Sequence, residues 1–215
     1  MSLEGDLTMH AAIPLYKGYT GLDAIGPYTV LAFAPDWEVT FVAAEPGPVT
    51  DDQGGLSIEA TASYADVPRP DVIVVPGGIG TIEALSDQAL VSWIGEVHEH
   101  TRWTASVCAG SFLLGAAGLL KGRRATSHWA LIDQLPGMGA EPVHERVVVD
   151  GKIVTAAGVS AGIDMALALL AQAADQDTAE AVQLVIEYDP EPPFDAGSPR
   201  TASADLRARA ASLLG

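Results

Sequence analysis

Short apolar runs alternate with helix-length segments along this chain, the pattern of a parallel α/β sheet. Residues 11–15 predict a first strand, and an apolar segment over 22–33 follows it. Trp37–Ala43 predicts a second strand. After the turn-rich stretch 46–55, residues 56–61 read as a small edge strand. Residues 71–76 form a β-branched run of the kind a strand buried on both faces uses. Gly77-Gly78-Ile79-Gly80 ends that run, and a helix through Trp93 to Glu99 is expected after it. Residues 104–107 predict another strand, turning abruptly at Cys108-Ala109-Gly110 into a helix over 111–117. Asp150-Gly151, flanked by apolar runs over 144–149 and 152–155, is a two-residue hairpin signal. Residues 160–174 predict an Ala/Leu-rich buried helix, and 178–187 another with Thr178 as its cap.

Past Tyr188 the composition changes. Pro190, Pro192 and Pro193 remove donors and fix φ, so this stretch is not regular structure. The sequence thus divides into an α/β domain over 9–188 and an acidic, Pro-rich tail over 189–215 with a terminal helix at 203–214. An arm laid over the domain or a partner subunit fits that tail, and so does a disordered end. There is no internal repeat.

With 215 residues, the chain makes one large domain with an appendage. It can bury about 70% of its unfolded surface and needs no disulfide or metal staple. An apolar fraction of 48% with 18% charged residues excludes wholesale disorder. Eleven Lys and Arg against 28 Asp and Glu give a net charge of −17, which argues against a nucleic-acid partner. No basic segment precedes an apolar run at the N-terminus, where Glu4 and Asp6 already stand, so no signal peptide is read there. Residues 1–8 read in part as a leader added for expression. The uncharged run over 103–120 just reaches membrane-spanning length, but its Gly, Ser and Thr residues fit a buried strand entering a buried helix better. The expectation is a soluble, cytoplasmic protein with no membrane partner.

Cys108 is the only cysteine, which rules out an intramolecular disulfide and a multi-cysteine zinc site. Its place between an apolar strand and a helix follows the logic of a nucleophile elbow, and a helix N-terminus favours the thiolate. A small buried hydrophobe fits the same position. The Gly77–Gly80 turn lacks the third glycine of a dinucleotide fingerprint, so a tight turn offering backbone N–H groups to an oxyanion reads better than a cofactor cradle. Asp23 is an acid inside an apolar stretch. It is either a helix cap or a proton-handling partner of Cys108 with a raised pKa. His128 follows the cysteine-bearing helix and can serve the site or the structure. His98 and His100 are two apart and read as solvated surface, and His10 and His144 have no partners in sequence. No carboxylate and histidine set has metal-ligand spacing, so neither a metal nor a cofactor is expected.

Six segments taken together carry a resemblance. They are Leu-Asp-Ala-Ile-Gly-Pro (22–27), Val-Pro-Gly-Gly (75–78), Ser-Val-Cys-Ala-Gly-Ser (106–111), the run 114–129 ending in Ala-Thr-Ser-His-Trp, Val-His-Glu-Arg-Val-Val (143–148) and Ser-Ala-Gly-Ile-Asp (160–164). In order, over residues 11–170, they resemble the ThiJ/PfpI superfamily (class I glutamine amidotransferase-like), nearest its isonitrile hydratase branch. The resemblance implies a flavodoxin-like three-layer sandwich with a mainly parallel sheet and a nucleophile elbow, commonly a homodimer. It implies Cys108 as nucleophile, Asp23 as the acid bonded to it, and Gly78 and Ala109 as oxyanion-type amides. The implied reaction is cofactor-free hydration of a small electrophile, an isonitrile becoming an N-substituted formamide through a thioimidate on Cys108. Isonitrile hydratases usually carry Thr after the nucleophile. Ala109 stands there in this chain, as in the parkinsonism-associated glyoxalase/deglycase branch, which keeps 2-oxoaldehydes open as substrates. The protease-like branch has His directly after its Cys, and this chain does not. Similar motifs also occur in sensor domains of transcription regulators. A non-catalytic sensor of that kind would here need a separate DNA-binding partner.

Overall fold

The structure is a computed structural model and describes residues 8–214, so the expected leader lies outside it except for Thr8. The elements in chain order are β1 (Met9–Pro14), α1 (Gly21–Ala32), β2 (Trp37–Ala43), β3 (Gly47–Thr50), β4 (Ser57–Ala60), β5 (Ala62–Ser63), β6 (Val72–Val75), α2 (Thr81–Ala84), α3 (Gln88–His98), β7 (Trp103–Val107), α4 (Gly110–Ala116), β8 (Arg124–Ala125), β9 (Glu141–Pro142), β10 (Val147–Asp150), β11 (Ile153–Ala156), α5 (Ala161–Ala173), α6 (Gln176–Val185) and α7 (Ala204–Ala211).

Seven strands form one sheet in the order β10-β11-β7-β6-β1-β2-β5, parallel throughout except where β10 returns antiparallel on β11. Central β6 is Val-Ile-Val-Val, and all four side chains are fully buried, as a strand covered on both faces requires. Helix α1 packs on α5 and α5 on α6, while α3 packs on α4, giving the helix–sheet–helix layering that the family resemblance implied. This order places β6 and β7 side by side, so the turns after Val75 and Val107 open at the same edge of the sheet.

Four local expectations are corrected. Residues 46–55 are not all turn: β3 pairs antiparallel with β4 in a separate hairpin, and the true sheet edge is β5. Pro48 fits because an outlying two-stranded ladder does not need its missing donor. The helix expected through Trp93 breaks into α2 and α3, because Asp87 Oδ1 accepts from the N–H groups of Ala89 (3.0 Å) and Leu90 (3.1 Å) and starts a new helix. Thr178 is not a cap; Asp175 is, its Oδ1 accepting from Thr178 N–H at 2.7 Å. The β10–β11 turn residues are Gly151 and Lys152, one position later than expected, since Asp150 already pairs with Ile153.

Candidate active site

At Cys108 the chain leaves β7 with φ +57°, a left-handed conformation that costs a residue with a Cβ about 1–2 kcal/mol. Hydrogen bonds on both sides hold it there. Its N–H donates to the carbonyls of Ala156 (3.1 Å) and Ala157 (2.9 Å), and its carbonyl accepts from Ser127 Oγ (2.9 Å) and Ser111 Oγ (3.2 Å). The neighbouring turn is pressed against the elbow. A Cβ on Gly77 would strike the backbone nitrogen of Ala109, and one on Gly110 the carbonyl oxygen of Val75. A Cβ on Gly78 would meet the backbone of Gly18 and Thr20, so the glycine turn closes on the loop before α1 rather than around a phosphate.

Asp23, in the first turn of α1, is fully buried. It does not cap that helix. Its Oδ2 accepts from Gly77 N–H at 2.9 Å, while Oδ1 has no hydrogen-bond partner among the described residues. Burial, opposed by the Gly77 amide and reinforced by the charge of Asp52, pushes the carboxyl up to about 7. Burial first, and the Asp23 charge second, push the Cys108 thiol well above its ordinary range, although the amides of Val159 and Ala109 favour the thiolate. The helix N-terminus alone predicted a lowered thiol pKa. That is overturned, because desolvation of a cysteine only 7% exposed outweighs the amides. The Gly78 N–H donates to no described backbone carbonyl, and the Ala109 N–H is turned to the Cys108 sulfur.

Cys108 opens into a cavity of about 800 Å³, shared with Gly78, Ala109 and His128 and otherwise walled largely by apolar side chains. His128 Nδ1 accepts from Ala130 N–H at 3.3 Å, which leaves the proton on Nε2, and burial lowers its pKa and keeps the ring neutral. The structure therefore brings Cys108, Asp23, Gly78, Ala109 and His128 together. It leaves the other histidines elsewhere. His98 is half-buried and bonds Thr104 Oγ1 at 2.8 Å, a correction to the solvated reading, because the turn after α3 packs back on β7. His10 bonds Thr40 Oγ1 at 2.9 Å, and exposed His144 lies 3.9 Å from Asp133.

Three site residues gave no sequence signal. Tyr16 donates to the Pro76 carbonyl at 2.9 Å and bonds Thr81 Oγ1 at 2.8 Å, bracing the glycine turn from below. Asp52 accepts from Thr20 Oγ1 at 2.5 Å and stands in the cavity wall. Val159, at φ +27°, brings its amide to the sulfur. Among the described residues no group of three or more His, Cys, Asp or Glu side chains is placed to hold a metal, and no helix is long and apolar enough to cross a membrane.

A model of the DJ-1/PfpI family matches residues 9–172. The chain is 48% identical to an isonitrile hydratase of Pseudomonas putida over 204 residues, 93% of this chain and 89% of the other. A deglycase of Pyrococcus horikoshii is 30% identical over 119 residues, 55% of this chain and 72% of its own. Among solved structures, a ThiJ/PfpI family protein from Pseudomonas syringae superposes with a TM-score of 0.91 at 40% identity, over 99% of this chain and 91% of that one.

Proposed function

The chain belongs to the DJ-1/PfpI family, and on that premise we propose that it is a cysteine-dependent isonitrile hydratase, a hydro-lyase that needs no metal or organic cofactor. The observation that carries the reading is the buried Asp23 carboxyl, held near neutrality beside the Cys108 thiol. The 48% identity to an isonitrile hydratase supports the choice of substrate.

In this mechanism Cys108 Sγ bonds to the terminal carbon of R–N≡C. The thiol proton passes to the Asp23 carboxylate and from it to the same carbon, leaving the thioimidate R–N=CH–S–Cys108. A group at about 7 suits this, because at neutral pH it both accepts and returns a proton. Water then adds to the thioimidate carbon with Asp23 relaying its proton. The amides of Gly78 and Ala109, with His128 Nε2–H, stabilise the charge on the tetrahedral adduct. The carbon–sulfur bond breaks, the thiol regains its proton and R–NH–CHO leaves. One water is consumed, and covalent catalysis divides the addition into two easier steps.

Ala109 favours a second reading within the same site, addition of Cys108 to a 2-oxoaldehyde and rearrangement to a hydroxy acid; the 30% identity to a deglycase agrees with it. The deciding assay follows formamide formation from an alkyl isonitrile beside lactate formation from methylglyoxal, on wild type and on Cys108→Ala. Formamide from wild type alone is the expected result. Lactate without formamide overturns the isonitrile reading, and full activity of Cys108→Ala in either assay overturns the nucleophile. The reading includes a cytoplasmic homodimer. The lone unpaired thiol suits a reducing compartment, and exposed Leu22, Ile79 and Ile82 near the cavity mouth suit a covered face.

A further inference from the structure

Resting on the isonitrile reading, we infer that Leu213 and Leu214 form the outer apolar wall of the active-site cavity and select substrates whose N-substituent is bulky and apolar. The isonitrile group itself is a linear pair of atoms and needs only the space directly above Cys108. The cavity encloses about 800 Å³, within the roughly 300–1,000 Å³ that surrounds a drug-sized ligand. Most of it is therefore left for R. Leu85, Phe112 and Leu131 line it from the domain, while Leu213 and Leu214 approach from a segment that begins beyond the matched family region.

That segment is organised by its own contacts. Ser203 Oγ accepts from Leu206 N–H at 3.2 Å to start α7, and Arg207 donates to the Pro199 carbonyl at 3.0 Å. Helix α7 buries none of its residues. The leucine pair after it is the part of the tail that lines the cavity, and both side chains keep exposed surface, 81% for Leu213 and 43% for Leu214. An apolar R group filling the mouth would cover that surface, whereas a methyl group would not reach it. No Lys or Arg lines the cavity, so nothing in its wall would recruit an anionic substituent instead.

The test uses the full chain, wild type against the double variant Leu213→Ser/Leu214→Ser, in two arms. Because Cys108 is the sole thiol, its alkylation is followed by intact mass with N-methyl and N-benzyl chloroacetamide, a readout that needs no isonitrile chemistry. In the variant the benzyl-to-methyl rate ratio falls about tenfold, the scale of a lost apolar contact, and Leu213→Met/Leu214→Met restores it. An unchanged ratio overturns the wall, and a raised ratio shows the leucines to be a plug instead. The second arm compares kcat/KM for benzyl and methyl isonitrile, whose ratio should fall through KM. If wild type hydrates neither isonitrile, the activity reading fails while the alkylation arm still decides the wall.

Discussion

If Asp23 accepts the thiol proton, its carboxylate is the active form, and kcat/KM for isonitrile hydration rises with pH to a plateau with an inflection near 7. Asp23→Asn lowers turnover by about 10² or more and removes the inflection; a profile that keeps it assigns the titration elsewhere. Asp52→Asn moves the inflection below 7, because the Asp52 charge is one of the causes that raise Asp23. Stability responds to the same group. Its carboxyl is raised from 3.8 to about 7 in the folded chain, so between those values the folded state binds a proton the unfolded chain has released. Stability from this source is present below about 4 and lost as pH climbs through 7, roughly 3 kcal/mol between pH 5 and pH 8. Urea unfolding at the two pH values measures it, and in Asp23→Asn the loss of stability from pH 5 to pH 8 should shrink by about that amount. Cys108 and Asp23 were legible in the sequence because each is an oddity: one lone thiol between a strand and small residues, and one acid in an apolar stretch. Tyr16, Asp52 and Val159 were not, since their places at the site are set by how distant turns meet.

The elbow depends on two backbones touching with no side chain between them. Gly110→Ala puts a Cβ into the Val75 carbonyl and should cost about 2–4 kcal/mol together with activity, whereas Gly137→Ala, with open space around its Cα, should stay within about 0.5 kcal/mol. Chemical denaturation of both variants checks the contrast, and equal losses would mean the elbow can relax. The strands that frame this site, β6 and β7, were readable as uncharged runs, one of them wholly apolar and the other carrying only Thr104 and Ser106 as polar residues, because both of their faces are buried. Less was readable where local chemistry serves two purposes. Pro48 suggests a turn yet sits in β3, and Asp87 punctuates an apolar stretch that periodicity alone joins into one helix. The thiol titration was misread for a related reason: position at a helix start is visible in sequence, and depth beneath a cavity is not.

Over the whole molecule, 28 acidic against 11 basic residues repel one another at neutral pH, so added salt should raise the unfolding midpoint by screening that repulsion; a midpoint that falls with moderate sodium chloride would contradict it. Light scattering over a concentration series should give twice the 22.2 kDa of one chain, and a constant single-chain mass would remove the dimer while leaving the fold intact. The lone cysteine also fixes how the protein ages under peroxide. A sulfenic acid formed at Cys108 has no second thiol in its own chain to capture it as a disulfide, so only an outside thiol can return it to the reduced form before the irreversible sulfinic step. Activity should therefore decay as a single exponential, be recoverable by dithiothreitol at early times alone, and be lost for good in step with the gain of two oxygen atoms on that one sulfur.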